Sequence, residues 1–339
     1  MNHHVALKIL TANSYGGEKE VFELEILRHI ETANPDHPGH RHVISLLDNF
    51  RHTGTNGEHV CLVFEVMGED LLGLSRRYRG EKIPVHLVKQ IAKQLFLGLD
   101  YLHRSCKVVH TDMKPRNIMI QLDNPESAID SYLEGRSHET NGPNKSPSPE
   151  DCRIISKAVA TNTPDSMSQI NIKIADFGVA SWVDKHLTEF IQPTSLRAPE
   201  VILGAKWDTS ADIWNAACVI YELLQGRVLF KGRPDPQGTW QAEDDHLAQM
   251  IELFGPLPPD LLAEGSSSGF YFDKDGNMLN IHHMYRSSLE NVINFKGNTS
   301  LSDEEVPGLQ SFLRSMLQYR PKDRLSAAEA AKDPWLQSD

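Results

Sequence analysis

The stretch VVHTDMKPRNIMI, residues 108–120, constrains the fold of this 339-residue chain more than any other. An apolar run at each end brackets a polar cluster made of His110, Asp112, Lys114 and Asn117. Burying the two ends while a carboxylate, an ammonium and an amide stay exposed costs solvation free energy unless these groups serve a ligand. The pattern therefore indicates two buried segments whose connecting loop belongs to a binding or catalytic site.

The side chains of this loop suit phosphoryl transfer. Asp112 beside a reacting hydroxyl can orient it and accept its proton, Lys114 can neutralise a transferring phosphate, and Asn117 can ligate Mg²⁺. Taken alone, Asp112 and Asn117 are also typical of an ordinary turn. The spacing H-x-D-x-K-x-x-N resembles the catalytic loop of protein kinases.

Further kinase motifs follow in the order that this family requires. They are Lys8 within the strand-like VALKIL, Glu23 in the next helical segment, Asp176-Phe177-Gly178, Ala198-Pro199-Glu200, Asp212 in ADIW, and Arg324 near the end. An ordered series that covers nearly the whole chain is much more specific than any single motif.

The resemblance implies an α+β, two-lobed protein-kinase-like fold. Residues 1–67 would form a small β-rich N-lobe, and residues 68–339 would form a large helical C-lobe. Residues 121–168 are too poor in apolar side chains to build a core of their own, so we predict a mobile insert there.

The resemblance also implies how ATP is bound. Lys8 would hold the α- and β-phosphates and pair with Glu23, the glutamate that best matches the family's E-x-x-x-L run. Glu65 and Met67, after the bulky Phe64, would present backbone groups of the hinge to adenine.

For the chemical step, the resemblance implies that Asp112 is the catalytic base and that Lys114 contacts the γ-phosphate. Asn117 and Asp176 would be the Mg²⁺ ligands. The implied cofactors are therefore ATP and Mg²⁺.

Three other matched positions would have structural roles. Glu200 and Arg324 would form the family's buried ion pair, and Asp212 would brace the catalytic loop. Thr111 stands where many kinases have an arginine that a phosphorylated activation loop must neutralise. Because threonine carries no charge, we expect activity that does not require activation-loop phosphorylation.

Within the protein kinases, the chain is most similar to the SR-protein kinases, which phosphorylate serines in arginine/serine-rich splicing factors. The similarity rests on HTDMKPRN, HVCLVFEVMGEDLL, EDDHLAQMIELFG and the long segment between Asp112 and Asp176. It implies a basic, Arg/Ser-rich protein substrate and a role in the regulation of mRNA splicing.

The resemblance places Asp245 and Glu252 at positions that line an acidic docking groove. The formal net charge of -12 suits a basic peptide partner and argues against direct nucleic-acid binding. The alternative for both residues is that they are ordinary solvated charges of a helix.

The sequence before Lys8 is too short for the two strands and the G-x-G-x-x-G loop that kinases place there. Gly16 and Gly17 follow the lysine and cannot form this loop, so we expect a truncated small lobe. Two explanations stay open: a fragment or an incorrect start of the gene model, or a pseudokinase that acts as a binding scaffold without catalysis. A small-molecule kinase of the same fold is a third alternative, which the motif at 198–200 disfavours because it organises peptide recognition.

The remaining composition points to an intracellular protein. The four cysteines lie far apart without a C-x-x-C pair, which is typical of reduced thiols. The sequence contains no secretory signal and no apolar run of the roughly 18 residues that a membrane span needs. We expect a monomer in the cytoplasm and nucleus.

Overall fold

The computed structural model describes residues 4–11, 22–55, 57–78, 82–136, 168–293 and 301–337. Its first part contains the strands β1 (Ala6–Ile9), β2 (Leu46–Gly54) and β3 (Gly57–Phe64). They form an antiparallel sheet in the order β1-β3-β2. This arrangement makes β1, which carries Lys8, an edge strand of the sheet that the described residues form.

Helix α1 (Glu23–Ala33) contacts strand β2 of this sheet. Ile26 and Ile30 are buried on one face of α1, as the helical spacing predicts. The apolar spacing of residues 18–30 predicts this helix, and positions 18–21 of that range lie outside the described residues.

The two long strands differ from the prediction. The apolar runs of 42–50 and 59–67 predict two strands around a turn at 51–58, but β2 and β3 continue through most of that turn and pair up to Gly54 and Gly57. The polar residues of this hairpin are exposed. Because a strand pair that faces solvent needs no apolar side chains, the hydrophobic pattern could not show its length.

The described residues after β3 are mainly helical, so the α+β architecture with a small sheet and a large helical part is confirmed. The helices of this part are α2 (Leu71–Arg77), α3 (Val85–Asp100), α4 (Pro125–Arg136), α5 (Pro199–Leu203), α6 (Ser210–Gln225), α7 (Ala242–Phe254), α8 (Pro259–Glu264), α9 (Leu289–Ile293), α10 (Val306–Met316) and α11 (Ala327–Ala330).

Helices α3 and α6 form the centre of this helical part. Both expose almost no apolar surface, and residues such as Leu95, Phe96 and Trp214 are completely buried. The apolar periodicity of 84–103 predicts α3 well; a π-helical turn, Tyr101–Cys106, continues it.

Short strands attach the loops of the site to this core. Strand β4 (Val108–Val109) pairs with β7 (Ser181–Trp182), and β5 (Ile118–Ile120) pairs with β6 (Ile172–Ile174). Thus the apolar ends of the stretch 108–120 are strands, and its polar middle lies between them.

Helix α4 corrects one prediction. The segment 121–168 was expected to be mobile, but its residues 125–136 are helical. Ile129 is buried, and Glu126 accepts a hydrogen bond from the backbone N–H of His4. Among residues 125–132, whose burial the structure describes, only Ile129 is buried, and the contact with His4 lies 122 positions away, so neither leaves a signal in the local composition. Residues 137–167 lie outside the described part of the chain.

Two helix caps were predicted, with different outcomes. The capping box between Ser326 and Glu329 at the start of α11 is present. Ser210 before the apolar run 211–224 predicts a cap for α6, and this prediction is wrong. The Ser210 hydroxyl is buried without a hydrogen-bond partner among the described residues, and Asp208 accepts the backbone N–H of Ser210.

A buried ion pair ties the motif at 198–200 to the end of the chain. Both terminal nitrogens of the Arg324 guanidinium donate to the Glu200 carboxylate at 2.6 Å, and both side chains are fully buried. The guanidinium also lies 5.0 Å from the ring centre of Trp214. None of the helices in the described ranges is both long and apolar enough to cross a membrane.

We expect Arg324→Met to lower the free energy of unfolding by about 3–5 kcal/mol, because it leaves the buried Glu200 carboxylate without its cation. Arg320→Met is the matched control, since Arg320 forms a similar two-pronged pair with Asp260 at the exposed surface. Urea unfolding of both variants measures the difference. Equal losses of unfolding free energy in the two variants would show that burial does not increase the contribution of the Arg324 pair to stability.

Candidate active site

Lys8 joins three elements of the fold at one point. Its Nζ donates to Glu23 Oε1 on α1 at 2.5 Å and to Asp176 Oδ1, just after β6, at 2.8 Å. The Glu23 side chain is only 2% exposed, so this carboxylate depends on Lys8 for compensation of its charge. The structure therefore brings together Lys8, Glu23 and Asp176, as the resemblance implied.

These contacts keep the lysine and the aspartate ionised. Burial opposes the charge of Lys8, but the attraction to Glu23 and the hydrogen bonds to both carboxylates outweigh it and raise the Lys8 pKa above its ordinary value. Burial likewise opposes the charge of Asp176, yet the hydrogen bond and the charge of Lys8 hold the Asp176 pKa below its ordinary range. An ionised aspartate is the form that can ligate a cation.

The catalytic-loop residues form a second cluster. Lys114 Nζ donates to Asp112 Oδ2 at 2.6 Å, and Asn117 Nδ2 donates to the same oxygen at 2.9 Å and to the Asp112 carbonyl at 2.9 Å. Two donors thus fix the Asp112 carboxylate, which is partly exposed. A carboxylate held in this way can accept a proton from a correctly placed hydroxyl.

The backbone of Ala175 connects the two clusters. Its N–H donates to the Asn117 carbonyl at 2.8 Å, and its carbonyl lies 3.0 Å from His110 Nε2. Phe177, on the other side of Asp176, is buried with its ring 5.1 Å from the His110 ring. Consequently the Lys8–Asp176 pair and the Asp112–Asn117 pair lie along one continuous site.

Asp212 holds the catalytic loop in a strained conformation. This fully buried carboxylate accepts the N–H of His110 at 2.8 Å, the N–H of Thr111 at 2.9 Å, and lies 2.9 Å from His103 Nε2. Burial opposes the charge of Asp212, but these contacts prevail and lower its pKa. Thr111 has φ 68°, which is unfavourable for a β-branched residue. The strained conformation persists because the Asp212 carboxylate accepts the backbone N–H groups of two consecutive residues, His110 and Thr111.

A cavity of about 380 Å³ lies beside Lys8. It is lined mainly by apolar groups, with Lys8, Glu23 and Asp176 as the charged exceptions next to Glu65. Such a volume is in the range of small-molecule sites. Its lining suits a ligand with a flat apolar base and an anionic tail, such as a nucleotide. The lining residues are Ala6, Leu7, Lys8, Glu23, Leu27, Ile44, Phe64, Glu65, Val66, Met67, Met119, Ala175, Asp176 and Phe177.

The donor set also fits Mg²⁺. Asn117 uses its amide nitrogen for Asp112, so its amide oxygen is the atom suited to a metal ion. Asp176 supplies an ionised carboxylate. It is placed next to Asn117 because the preceding residue, Ala175, donates its backbone N–H to the Asn117 carbonyl. Mg²⁺ in phosphate-transfer sites typically has one or two protein oxygens and completes its shell with phosphate and water.

Glu65 and Met67, predicted to form the hinge, both line the cavity. The Glu65 side chain accepts hydrogen bonds from Lys173 on β6 and from the N–H of Ser45. The sequence motifs do not point to Lys173 or to His103, which contact Glu65 and Asp212. The signal was available for Lys173, because a lysine inside the apolar strand INIKI needs a buried partner.

The two predicted docking residues lie on α7, seven positions or about two turns apart. Asp245 accepts the N–H of Arg233 at 2.7 Å, and Glu252 accepts the N–H of Tyr285 at 2.8 Å. Both side chains are half-buried. Neither carboxylate forms an ion pair with a basic side chain of the described residues.

Neutral hydrogen bonds help to fix the segment between Asp176 and Glu200, together with an ion pair between Arg197 and Glu243. The Thr111 hydroxyl donates to the Val179 carbonyl at 2.8 Å. The Gln192 side chain donates to the Ala211 carbonyl and accepts the N–H of Ala198, both at 2.8 Å. These contacts hold the segment without a phosphate group.

Comparison with known proteins agrees with this geometry. A family model described as a protein kinase domain matches residues 1–145 and 161–336. The chain therefore belongs to the protein kinase family. Its site is that of an ATP-dependent protein serine/threonine kinase, and members of this family generally use ATP with Mg²⁺.

Several curated relatives are similar over almost the whole chain. The serine/threonine-protein kinase SRPK of Physarum polycephalum is 37% identical, with 98% of this chain and 79% of that protein covered. Protein kinase dsk1 of Schizosaccharomyces pombe is 33% identical, with 98% and 75% covered. SRSF protein kinase 3 of Homo sapiens is 28% identical, with 98% and 81% covered.

We expect the enzyme to remain active after treatment with a phosphatase that removes all phosphate from serine and threonine. The physical reason is that Thr111 and Gln192 hold the segment 176–200 by neutral hydrogen bonds. Phosphate transfer to a peptide before and after treatment measures this, with mass spectrometry to verify complete removal. A loss of activity that returns on rephosphorylation would contradict the expectation.

Proposed function

We propose that this chain transfers the γ-phosphate of ATP to serine or threonine in basic, Arg/Ser-rich protein segments, with Mg²⁺ as cofactor. The observation that carries the proposal is the convergence of Lys8, Asp176, Asp112 and Asn117 on one site through the backbone of Ala175. Residues far apart in sequence would have no physical reason to meet there with these charges and hydrogen bonds in a purely structural role.

In this mechanism Asp112 orients the substrate hydroxyl and accepts its proton as the new O–P bond forms. Lys114, which contacts Asp112 at 2.6 Å, would neutralise charge on the transferring phosphoryl group. Lys8 would position the α- and β-phosphates while Glu23 holds its ammonium in place. Bound Mg²⁺, held by Asn117 and Asp176, would supply further charge neutralisation. Catalysis thus consists of positioning and electrostatics rather than a covalent intermediate.

The preference for a basic substrate is supported by two findings. The human relative is named an SRSF protein kinase. On α7, Asp245 and Glu252 are carboxylates without a cationic partner among the described residues. Complementary charge guides a basic segment to such a surface.

A binding scaffold without catalysis is the rival function. It would use α7 in the same way but would not transfer phosphate. The strained, hydrogen-bonded catalytic loop favours the kinase, because backbone strain of this kind has a cost that only a functional geometry justifies.

We expect Asp112→Asn to lower phosphate transfer to an Arg/Ser peptide by a factor of roughly 10² to 10⁴, the usual contribution of a general base. The variant should still be stabilised by Mg²⁺ and ATP in a thermal-shift assay, because Asp112 does not line the nucleotide cavity. Lys8→Met should reduce both readouts. If the unaltered chain shows neither stabilisation nor transfer, the scaffold function is correct for this chain.

We expect the double change Asp245→Asn, Glu252→Gln to weaken binding of an Arg-rich peptide by up to roughly thirtyfold, since two exposed ion pairs are worth at most about 1 kcal/mol each. Both substitutions keep an oxygen that can accept the backbone N–H groups of Arg233 and Tyr285. Glu264→Gln, which removes an exposed carboxylate of α8, is the matched control. Titration of peptide binding and the thermal shift with ATP are the measurements; unchanged peptide affinity would remove these residues from the docking site.

A further inference from the structure

The chain itself contains Arg–Ser pairs, the kind of sequence that the proposed function phosphorylates. Serine follows arginine at four places, where the serines are residues 105, 137, 287 and 315. Ser105 lies in the π-helical turn Tyr101–Cys106, and Ser315 lies in α10. Residue 137 lies outside the described part of the chain. Among the described residues, Ser287 is therefore the one such serine that no helix contains.

Ser287 belongs to an exposed strap, defined here as residues 281–288, which has neither helix nor strand structure. Two backbone groups hold the strap to α7: the N–H of Tyr285 donates to Glu252 Oε1 at 2.8 Å, and the N–H of Ser287 donates to the Glu252 carbonyl at 2.9 Å. The Tyr285 side chain is 82% exposed. Ile281 packs against the core at one end of the strap. Beyond it, apolar burial contributes little, so the attachment of residues 282–287 to α7 depends mainly on these two hydrogen bonds.

The neighbouring Ser288 is a poorer acceptor. Its hydroxyl oxygen accepts the N–H of Asn291 at the start of α9, and its side chain is half-buried. The Ser287 side chain is exposed and its hydroxyl makes no hydrogen bond to any described residue, and Arg286 before it is exposed as well. A strap held by two hydrogen bonds can leave α7 and enter the active site of another molecule at low cost.

We propose that Ser287 is a phosphorylation site of this kinase, modified by a second copy of the chain. This inference rests on the proposed function, because it uses the same site and the same Arg–Ser chemistry. The Ser287 oxygen attacks the γ-phosphorus of ATP, the bond from that phosphorus to the bridging oxygen breaks, and ADP leaves. The hydroxyl proton passes to Asp112 of the copy that acts as enzyme.

Phosphorylation would release the strap from α7. The phosphate adds a charge of about −1.5 to −2 beside the peptide group that bonds to Glu252. Repulsion between this phosphate and the Glu252 carboxylate weakens both hydrogen bonds. Release of the strap frees Glu252, a residue of the proposed docking surface, so the modification regulates access to that surface.

The test uses the full chain as enzyme and the Asp112→Asn chain as acceptor, with Mg²⁺, ATP and an Arg/Ser peptide in the same reaction. Mass spectrometry maps the phosphate on the acceptor. We expect phosphate at Ser287, its loss in an acceptor that also carries Ser287→Ala, and a strong decrease with Arg286→Ala. Ser315→Ala, which removes the helical Arg–Ser serine, is the matched control and should leave the Ser287 signal unchanged.

The outcomes separate this inference from the proposed function. Phosphate on the peptide but none on Ser287 overturns the inference and leaves the proposed function intact. Phosphate on neither overturns both. Hydrogen exchange of the acceptor tests the release: the N–H groups of Tyr285 and Ser287 should exchange faster after modification, and unchanged exchange would overturn the regulatory part.

Discussion

The ammonium of Lys8 is the contact on which the geometry of the site depends. It lies between carboxylates that are 15 and 168 positions away in the sequence, and it is the cation that both of them share. Glu23 is nearly inaccessible to water, so its charge is tolerable only beside this lysine. Without the ammonium, Glu23 and Asp176 would be two like charges that repel each other beside the same cavity. One side chain therefore connects α1 to the segment after β6.

A second constraint acts at the other end of the site, where backbone strain is maintained by a buried carboxylate. Thr111 and Asp176 both have φ 68°, in the left-handed region that favours glycine. Asp212 holds the first through its N–H, and Lys8 holds the side chain of the second. Strain of this kind persists only where surrounding contacts over-determine the conformation. Asp176, which would act on the nucleotide, and Thr111 of the catalytic loop are thus both held by hydrogen bonds within the protein.

How much the sequence could predict depended on whether a signal was local or shared by distant residues. The apolar spacing of α3 and the serine and glutamate that cap α11 are local patterns, and both agree with the structure. Both strands of the hairpin were predicted, but their extension through 51–58 and the helix α4 were missed. Exposed strand ends and a helix whose residues 125–132 bury only Ile129 lack apolar periodicity. The placement of the site came from family resemblance, since no pairwise rule connects Lys8 to Asp176. The pairing of Lys173 with Glu65 joins two residues that are 108 positions apart, so no local sequence pattern links them.

The acidic composition of the chain has two distinct physical roles, and only one of them concerns partners. Glu23, Glu200 and Asp212 are buried, and each is compensated by a cation or by several N–H groups. Their charges are internal and attract nothing from solution. Asp245 and Glu252 differ because they accept backbone N–H groups without a cationic partner among the described residues. A backbone N–H stabilises a carboxylate but does not cancel its charge, so the field that a basic peptide meets at α7 comes from these few residues rather than from the net charge of the chain.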